Sequence, residues 1–248
     1  MTVKFSPPFV TSEETVKALQ SHGYAVLIPQ QALGLIGLTA AQWSPCLQTW
    51  NDLPPDAYLK DGGRYRSRRH SCFTVTHDQV IQKPHRTHWQ PVEYNALHGG
   101  MQRLFEPMVS TVVQSAAWVG LLSKLGQLCT DLKPKTTTWF VEAHQFRIDT
   151  TDGIGRPTPE GAHRDGVDFV AVILIARNNI KGGETRVFDV NGSAGRRFTM
   201  TEPWTMLLLD DERVIHESTP IQPQEGDFGY RDTLVLTFRA KAFQGEGA

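Results

Sequence analysis

TTTWFVEAHQFRI, residues 136–148, is where the chain changes character. From here on, β-branched and aromatic residues gather in short runs: DFVAVILIA at 168–176, ETRVFDV at 184–190, WTMLLLD at 204–210 and TLVLTFR at 233–239. Turns bearing Gly, Asn and Pro separate these runs and no long helical period interrupts them, so each reads as a strand. Upstream the period is different. Leu104, Met108, Val112, Val113 and Ala116, then Leu121, Leu122, Leu125 and Leu128, recur at helical spacing and predict two helices between Tyr94 and Leu132, broken near Gly120. An amphipathic stripe of this kind packs on its own protein, so it is assigned to the core. Helices followed by strands argue for an α+β chain whose antiparallel sheets form a sandwich or a distorted barrel.

Farther upstream the signals are local. Thr11 and Glu14 have the spacing of a capping box before Val16, Ala18 and Leu19, and Gly23 can end that helix in a left-handed conformation. Tyr24 to Ile28 reads as a strand closed by Pro29, and Thr39 with Gln42 offers a second cap. Between Pro54 and Pro91 the chain is rich in Arg, His, Gly and Asp and reads as loop, apart from a strand at 71–76. With no repeat and no separating linker, residues 1–248 are expected to form a single domain, a helix-rich part (1–134) packing on a strand-rich barrel core (135–241).

Composition narrows the function. The 248 residues are 40% hydrophobic and 21% charged, ordinary for a globular protein, and 25 basic residues nearly balance 26 acidic ones. No overall field favours nucleic acid or an anionic membrane. The longest apolar run, residues 169–176, is far below the ~18 residues of a membrane-crossing helix. Three widely spaced cysteines, Cys46, Cys72 and Cys129, form no CxxC pair and suit reduced thiols in a cytoplasm. The start, MTVKFSPPFVTSEE, lacks the apolar core of a secretory signal, so Met1 is read as the beginning of the mature chain.

Chemistry concentrates in EGAHRDGVDF, residues 160–169. Alternate side chains of an extended segment share a face, so His163 and Asp165 can converge on one point while Arg164 turns elsewhere. RVIHESTP supplies His216, directly after the 204–210 strand. Two imidazoles and one carboxylate make a set that takes three adjacent positions on a metal and leaves the rest open, as in non-haem Fe(II) oxygenases, though manganese, cobalt or zinc would also suit it. A hydrogen-bonded His163–Asp165 pair at a turn is the plainer alternative. In YRDTLVLTFR, residues 230–239, Arg231 and Thr233 share a strand face where a guanidinium and a hydroxyl can hold a carboxylate. Arg64, Arg66 and Arg68 alternate in GGRYRSRRH and could meet a substrate carboxylate or face solvent. His144, Gln145 and Arg147 should border a barrel cavity, there to orient substrate or brace the metal ligands. Asp210 and Asp211 read as turn or bracing groups.

His163-x-Asp165, His216 and Arg231-x-Thr233, in that order, resemble the 2-oxoglutarate/Fe(II)-dependent dioxygenases. HQFRI at 144–148, EGAHRDG, GGET at 182–185 and YRDTLVLTFR resemble more particularly the branch of L-isoleucine 4-dioxygenase and the BsmA-like proteins linked to biofilm and stress. The similarity spans roughly residues 23–240. It implies a double-stranded β-helix, a jelly-roll or cupin-like barrel with helical N-terminal support, and an enzyme using Fe(II), 2-oxoglutarate and dioxygen. It further implies that His163, Asp165 and His216 bind the metal, that Arg231 and Thr233 bind 2-oxoglutarate, and that a small substrate, a free L-amino acid, is hydroxylated with release of succinate and CO2. Nucleic-acid and membrane partners are not expected, and a homodimer is compatible. One departure is Arg164, where glutamine is expected, and a cation there bears on substrate charge. Two other readings remain at this point: a cupin-like metalloprotein with another reaction, which leaves Arg231 unexplained, and a non-catalytic binding protein, which has no use for an open coordination position.

Overall fold

The computed structural model describes residues 6–245, so the reading of Met1 as the mature start lies outside the described residues. Local signals are realised where they were read. The Thr11 amide donates to Glu14 Oε2 at 3.0 Å and the Glu14 amide to Thr11 Oγ1 at 3.3 Å; α1 (Thr15–His22) follows and ends at Gly23, with φ 76°. Then come β1 (Tyr24–Leu27), α2 (Pro29–Ile36) and α3 (Ala40–Leu47), the last opened by the Thr39/Gln42 capping box. Such caps act within one turn and need no tertiary partner, which makes them readable.

Two expectations are corrected. Most of the stretch from Pro54 to Pro91 is loop as expected, but the strand expected at 71–76 is longer: β2 (Arg66–Thr76) has 11 residues and starts before Ser71, within the arginine-rich run, and β3 (Val80–Gln82) pairs with its end. Its charges hid it, because the Arg66 and Arg68 side chains are buried and face Asp56 rather than water. The helical break is also misplaced. The helices are α4 (Ser110–Val113) and α5 (Ala116–Leu132), so Gly120 lies inside α5. Ser115 sets the break: its hydroxyl accepts the Trp118 amide at 3.1 Å and satisfies one of the free donors of the new helix.

The remaining strands are β4 (Thr138–Asp149), β5 (Phe169–Asn178), β6 (Ile180–Gly182), β7 (Thr185–Asp189), β8 (Gly195–Phe198), β9 (Met206–Asp210), β10 (Val214–Ser218), β11 (Ile221–Pro223) and β12 (Tyr230–Arg239). A seven-stranded antiparallel sheet has the order β1-β9-β5-β12-β4-β2-β3; β10-β7-β8 and β11-β6 form smaller sheets. This is the double-stranded β-helix the resemblance implied, with one difference: β1, β2 and β3 lie in the large sheet, so residues before 135 supply barrel as well as helical support.

Alternation along the strands sorts the side chains. Phe169, Ala171, Ile173 and Ile175 of β5, with Leu234, Leu236 and Phe238 of β12, join Trp43, Trp118 and Leu125 in the main core beneath the helices. Val170 and Leu174 point the other way and pack with Val187, Phe198 and Val214 of the smaller sheet. Each fully buried aliphatic or aromatic side chain contributes about 1.5–3 kcal/mol of transfer free energy. The same alternation turns Arg231, Thr233 and Val235 of β12, and Glu142, His144 and Phe146 of β4, into one cavity inside the barrel.

Candidate active site

His163 and His216, far apart in sequence, are backbone partners. The His163 amide donates to the His216 carbonyl at 3.0 Å and the His216 amide to the His163 carbonyl at 2.9 Å. This pair places the two rings with centroids 4.7 Å apart, and Asp165 reaches them from two residues on. Asp165 Oδ1 lies 3.9 Å from His163 Nε2 and Oδ2 lies 3.7 Å from His216 Nε2. His163 Nδ1 donates to the Gly161 carbonyl at 2.9 Å and so aims Nε2 at Asp165; against burial, Asp165 and Glu160 raise this imidazole above its ordinary value, so a metal there takes the place of the Nε2 proton. Burial and the neighbouring His163 pull His216 down to about 3, so its imidazole is neutral, the state a metal requires.

The loop carrying Asp165 is held from three sides. Asp211, fully buried, accepts the amides of Asp165, Gly166 and Val167 at 3.0, 2.8 and 3.1 Å, which gives the bracing role expected of it a definite geometry. Gln244 Nε2 donates to the Asp165 and Gly166 carbonyls, and Gln90 Nε2 donates to Asp165 Oδ1 at 3.3 Å. Gly166 is required: its φ is 74°, and a Cβ there would stand 2.4 Å from the Tyr94 ring. Burial raises the Asp165 carboxyl against the attraction of His163, and among the described residues no lysine or arginine pairs with it. A buried carboxylate facing two imidazoles, one of them held neutral, is a donor set that can take a divalent cation, and it fits Fe(II).

Arg231 stands in the same cavity. It is 5% exposed, and among the described residues its Nε has no partner and Nη1 reaches only the Ser218 hydroxyl at 3.4 Å. Burial and the neighbouring Arg177 bring it down to about 10, so it stays a cation at neutral pH without an anion. Thr233 lies beside it, as does Thr185 of the GGET stretch, whose buried hydroxyl is also unpartnered.

Comparison with known proteins agrees with this geometry. The family model described as 2OG-Fe dioxygenase matches residues 47–237. The chain belongs to the 2OG-Fe dioxygenase family. It is similar to a bsmA homolog from Methylobium petroleophilum PM1, with 49% identity over 97% of each chain and a TM-score of 0.91. It shares its fold with IDO from Bacillus thuringiensis (18% identity, 98% of this chain and 100% of that one, TM-score 0.71). The same holds for the Fe(II)/(alpha)ketoglutarate-dependent dioxygenase TqaL (20% identity, 94% and 88%, TM-score 0.71). No curated protein matches it significantly. The protein is therefore an oxidoreductase that takes Fe(II), 2-oxoglutarate and dioxygen. No helix among its described residues is long and apolar enough to cross a membrane.

Beside Arg231 on the same sheet, the cavity face of β4 and β2 is polar. Glu142 Oε2 lies 2.9 Å from His70 Nε2 and 2.5 Å from His88 Nδ1. Burial opposes its ionisation, but the two rings outweigh burial and hold its carboxyl below the ordinary range. His144 stacks on His70 at 4.7 Å and 21°, and Arg68 Nη2 lies 2.6 Å from His144 Nδ1, where it can only donate. Arg68 itself sits over the Phe105 and Phe146 rings at 3.8 and 4.3 Å. Of the substrate contacts expected from sequence, Arg66 and His144 line the cavity. Gln145 and Arg147 do not: Gln145 donates to Thr49 Oγ1 at 2.9 Å and Arg147 grips Asp232 with bonds of 2.8 and 2.7 Å. On β4 they occupy the alternate face, toward the helical layer and the barrel exterior. Arg64, grouped with Arg66 by alternation, precedes β2 and pairs with Asp152 at the surface. Arg164 bonds the Asp211 carbonyl and is absent from the cavity lining. Sequence reading missed Asp56, Gln90, Arg103 and Glu160. Glu160 lay within the quoted motif, three residues before His163; the others sit in irregular segments that no period orients.

Proposed function

We propose that this dioxygenase hydroxylates a free L-amino acid, coupling that reaction to conversion of 2-oxoglutarate into succinate and CO2. In this reading His163, Asp165 and His216 hold Fe(II) and leave its remaining positions open. Arg231 receives the distal carboxylate of 2-oxoglutarate through parallel hydrogen bonds, with Thr233 adding a hydroxyl contact. The observation that carries the reading is Arg231, a buried cation without an anion in the cavity that holds the metal ligands. A cupin-like protein with another reaction, or a passive binder, would leave that charge desolvated for nothing.

Bound iron, with 2-oxoglutarate and dioxygen, supplies an oxidant strong enough to break a C–H bond. The chain's own residues hold and shield the reactants. Asp211 fixes the loop that presents Asp165, and the His163–His216 backbone pair sets the spacing of the imidazoles. Val172, Met200, Leu207 and Val235 give the cavity apolar surface that excludes water. Arg66, in register with Ile148 and two strands from Arg231 on the same sheet, supplies a second buried guanidinium for a carboxylate-bearing substrate. Cys46, Cys72 and Cys129 are buried and form no disulfide among the described residues, which accords with a reducing cytoplasm.

The test is succinate formation by anaerobically iron-loaded protein given 2-oxoglutarate, oxygen and a panel of L-amino acids. Stimulated turnover with an oxygen-bearing product, lost in His163→Ala and Arg231→Ala, is the expected result. Succinate formation that no amino acid stimulates would remove the substrate assignment.

A further inference from the structure

Beyond the groups given to iron, 2-oxoglutarate and the Glu142 network, the cavity holds Glu217, which pairs with Arg186 at 3.0 Å, and three charged side chains that each have a buried polar atom without a partner among the described residues: Glu160 Oε2, Arg66 Nη2 and Arg103 Nε. Glu160 Oε1 lies 3.6 Å from His163 Nε2. Once that nitrogen gives its lone pair to a metal it cannot donate, so neither oxygen of Glu160 keeps a hydrogen-bond donor among the described residues. Glu160 stands apart from the other two ligands: it does not join His163, Asp165 and His216 in the set whose ligand atoms all lie within 4.8 Å of one another.

The positive side is equally definite. Arg66 Nε binds Asp56 Oδ2 at 2.7 Å and leaves Nη2 free, so Asp56 half-compensates it. Arg103, 2% exposed, has no carboxylate partner among the described residues; its Nη2 donates to Gln90 Oε1 at 3.1 Å, and Gln90 in turn donates to Asp165. Arg103 thus stands two hydrogen bonds from the metal ligand Asp165, and Glu160 stands 3.6 Å from the metal ligand His163. Burial and the neighbouring Arg66 lower Arg103 to about 10, which keeps it charged at neutral pH.

We propose that Glu160 accepts the α-ammonium group of the substrate while Arg66 and Arg103 hold its α-carboxylate, a zwitterion clamp beside the metal. The proposal rests on the amino-acid reading above and assigns that substrate its contacts. A zwitterion satisfies both desolvated charges and adds no net charge to the cavity. A dicarboxylate would oppose Glu160, a diamine would oppose the arginines, and a neutral molecule would leave both signs unpaired.

Calorimetric binding to the anaerobic holoenzyme, loaded with Fe(II) and 2-oxoglutarate, tests the clamp. The probes are the proteinogenic L-amino acids; the tightest is then compared with its N-acetyl derivative, which lacks the ammonium, and its carboxamide, which lacks the carboxylate. Both derivatives should bind wild type about 100-fold more weakly than the parent, in line with losing one buried charge-assisted contact. Glu160→Gln should weaken the parent by a similar factor, leave the N-acetyl derivative nearly unchanged, and retain iron and 2-oxoglutarate. Arg103→Lys should weaken the parent about 10-fold, since an ammonium cannot reproduce the planar fork. If the parent binds Glu160→Gln as tightly as wild type, or the derivatives bind as tightly as the parent, the clamp is wrong while the amino-acid reading stands. If Glu160→Gln loses iron, Glu160 belongs to the metal site and the clamp is wrong. If no amino acid binds although 2-oxoglutarate does, the clamp and the substrate reading fail together. The derivatives act on unaltered protein, so a misfolded variant cannot rescue or sink the proposal.

Discussion

His163, Asp165 and His216 on one wall of the cavity, and His70, His88, Glu142 and His144 on the other, are built from the same side-chain types, and in each set the ligand atoms lie within 4.8 Å of one another. Their surroundings differ. In the first set the closest separations between carboxylate and imidazole are 3.7–3.9 Å, and no cation competes. Metal ligands at about 2.0–2.2 Å from one ion stand about 3 Å apart, so small rotations close that site. In the second set Glu142 is already satisfied by hydrogen bonds of 2.5 and 2.9 Å, His144 and His70 are stacked nearly parallel rather than convergent, and Arg68 donates into the group. A divalent ion there would displace two hydrogen bonds and face a buried guanidinium. Residue type alone does not make a metal site; the state of the lone pairs and the sign of the nearest charge do.

The contrast can be broken by substitution. His163→Ala or His216→Ala should abolish iron binding and reduce turnover by more than the roughly 10–100-fold that loss of an outer partner costs. His144→Asn should leave iron content unchanged. Arg231→Gln removes the only charge assigned to 2-oxoglutarate, and the KM for that co-substrate should rise about 100-fold or more with iron retained. Glu142→Gln should cost about 3 kcal/mol of stability in a denaturant titration, with iron content intact, because the two imidazoles lose an ionised acceptor. A loss of iron in that variant would mean that the second cluster carries metal. Asp211→Asn keeps the shape but weakens acceptance of three amides, and iron affinity should fall about 10-fold or more.

The smallest expected effect is a pH dependence. Burial pulls His88 down to about 4 from its ordinary 6.5, against the attraction of Glu142, so the unfolded chain takes up that proton first as pH falls. The stability this provides is complete above about pH 6.5 and is lost progressively toward pH 4, amounting to about 1–2 kcal/mol at pH 5. His88→Gln should flatten that limb of the curve; an unchanged slope would remove His88 as its source.

What could be read from sequence follows from how far each signal reaches. Capping at Thr11/Glu14 and Thr39/Gln42 involves neighbours in the chain, and the alternation of β5 and β12 is written in single runs. The metal set was legible because His163 and Asp165 share a local period and His216 ends a recognisable strand. Arg66 and Arg68 misled because a buried guanidinium looks like a solvated one until its partner is known, and Asp56 lies in a segment with no period. Gln145 and Arg147 failed for a simpler reason. Strand alternation puts them opposite His144, so one strand could not send all three into the cavity. Arg103 and Gln90 come from an irregular stretch whose path is set by contacts with the barrel, and no local pattern marks them.

Iron stoichiometry, measured anaerobically on wild type, His163→Ala and His144→Asn, tests the central claim most directly. The account predicts one iron per chain in wild type and in His144→Asn, and none in His163→Ala. Two irons per chain in wild type, or iron retained by His163→Ala, would contradict it.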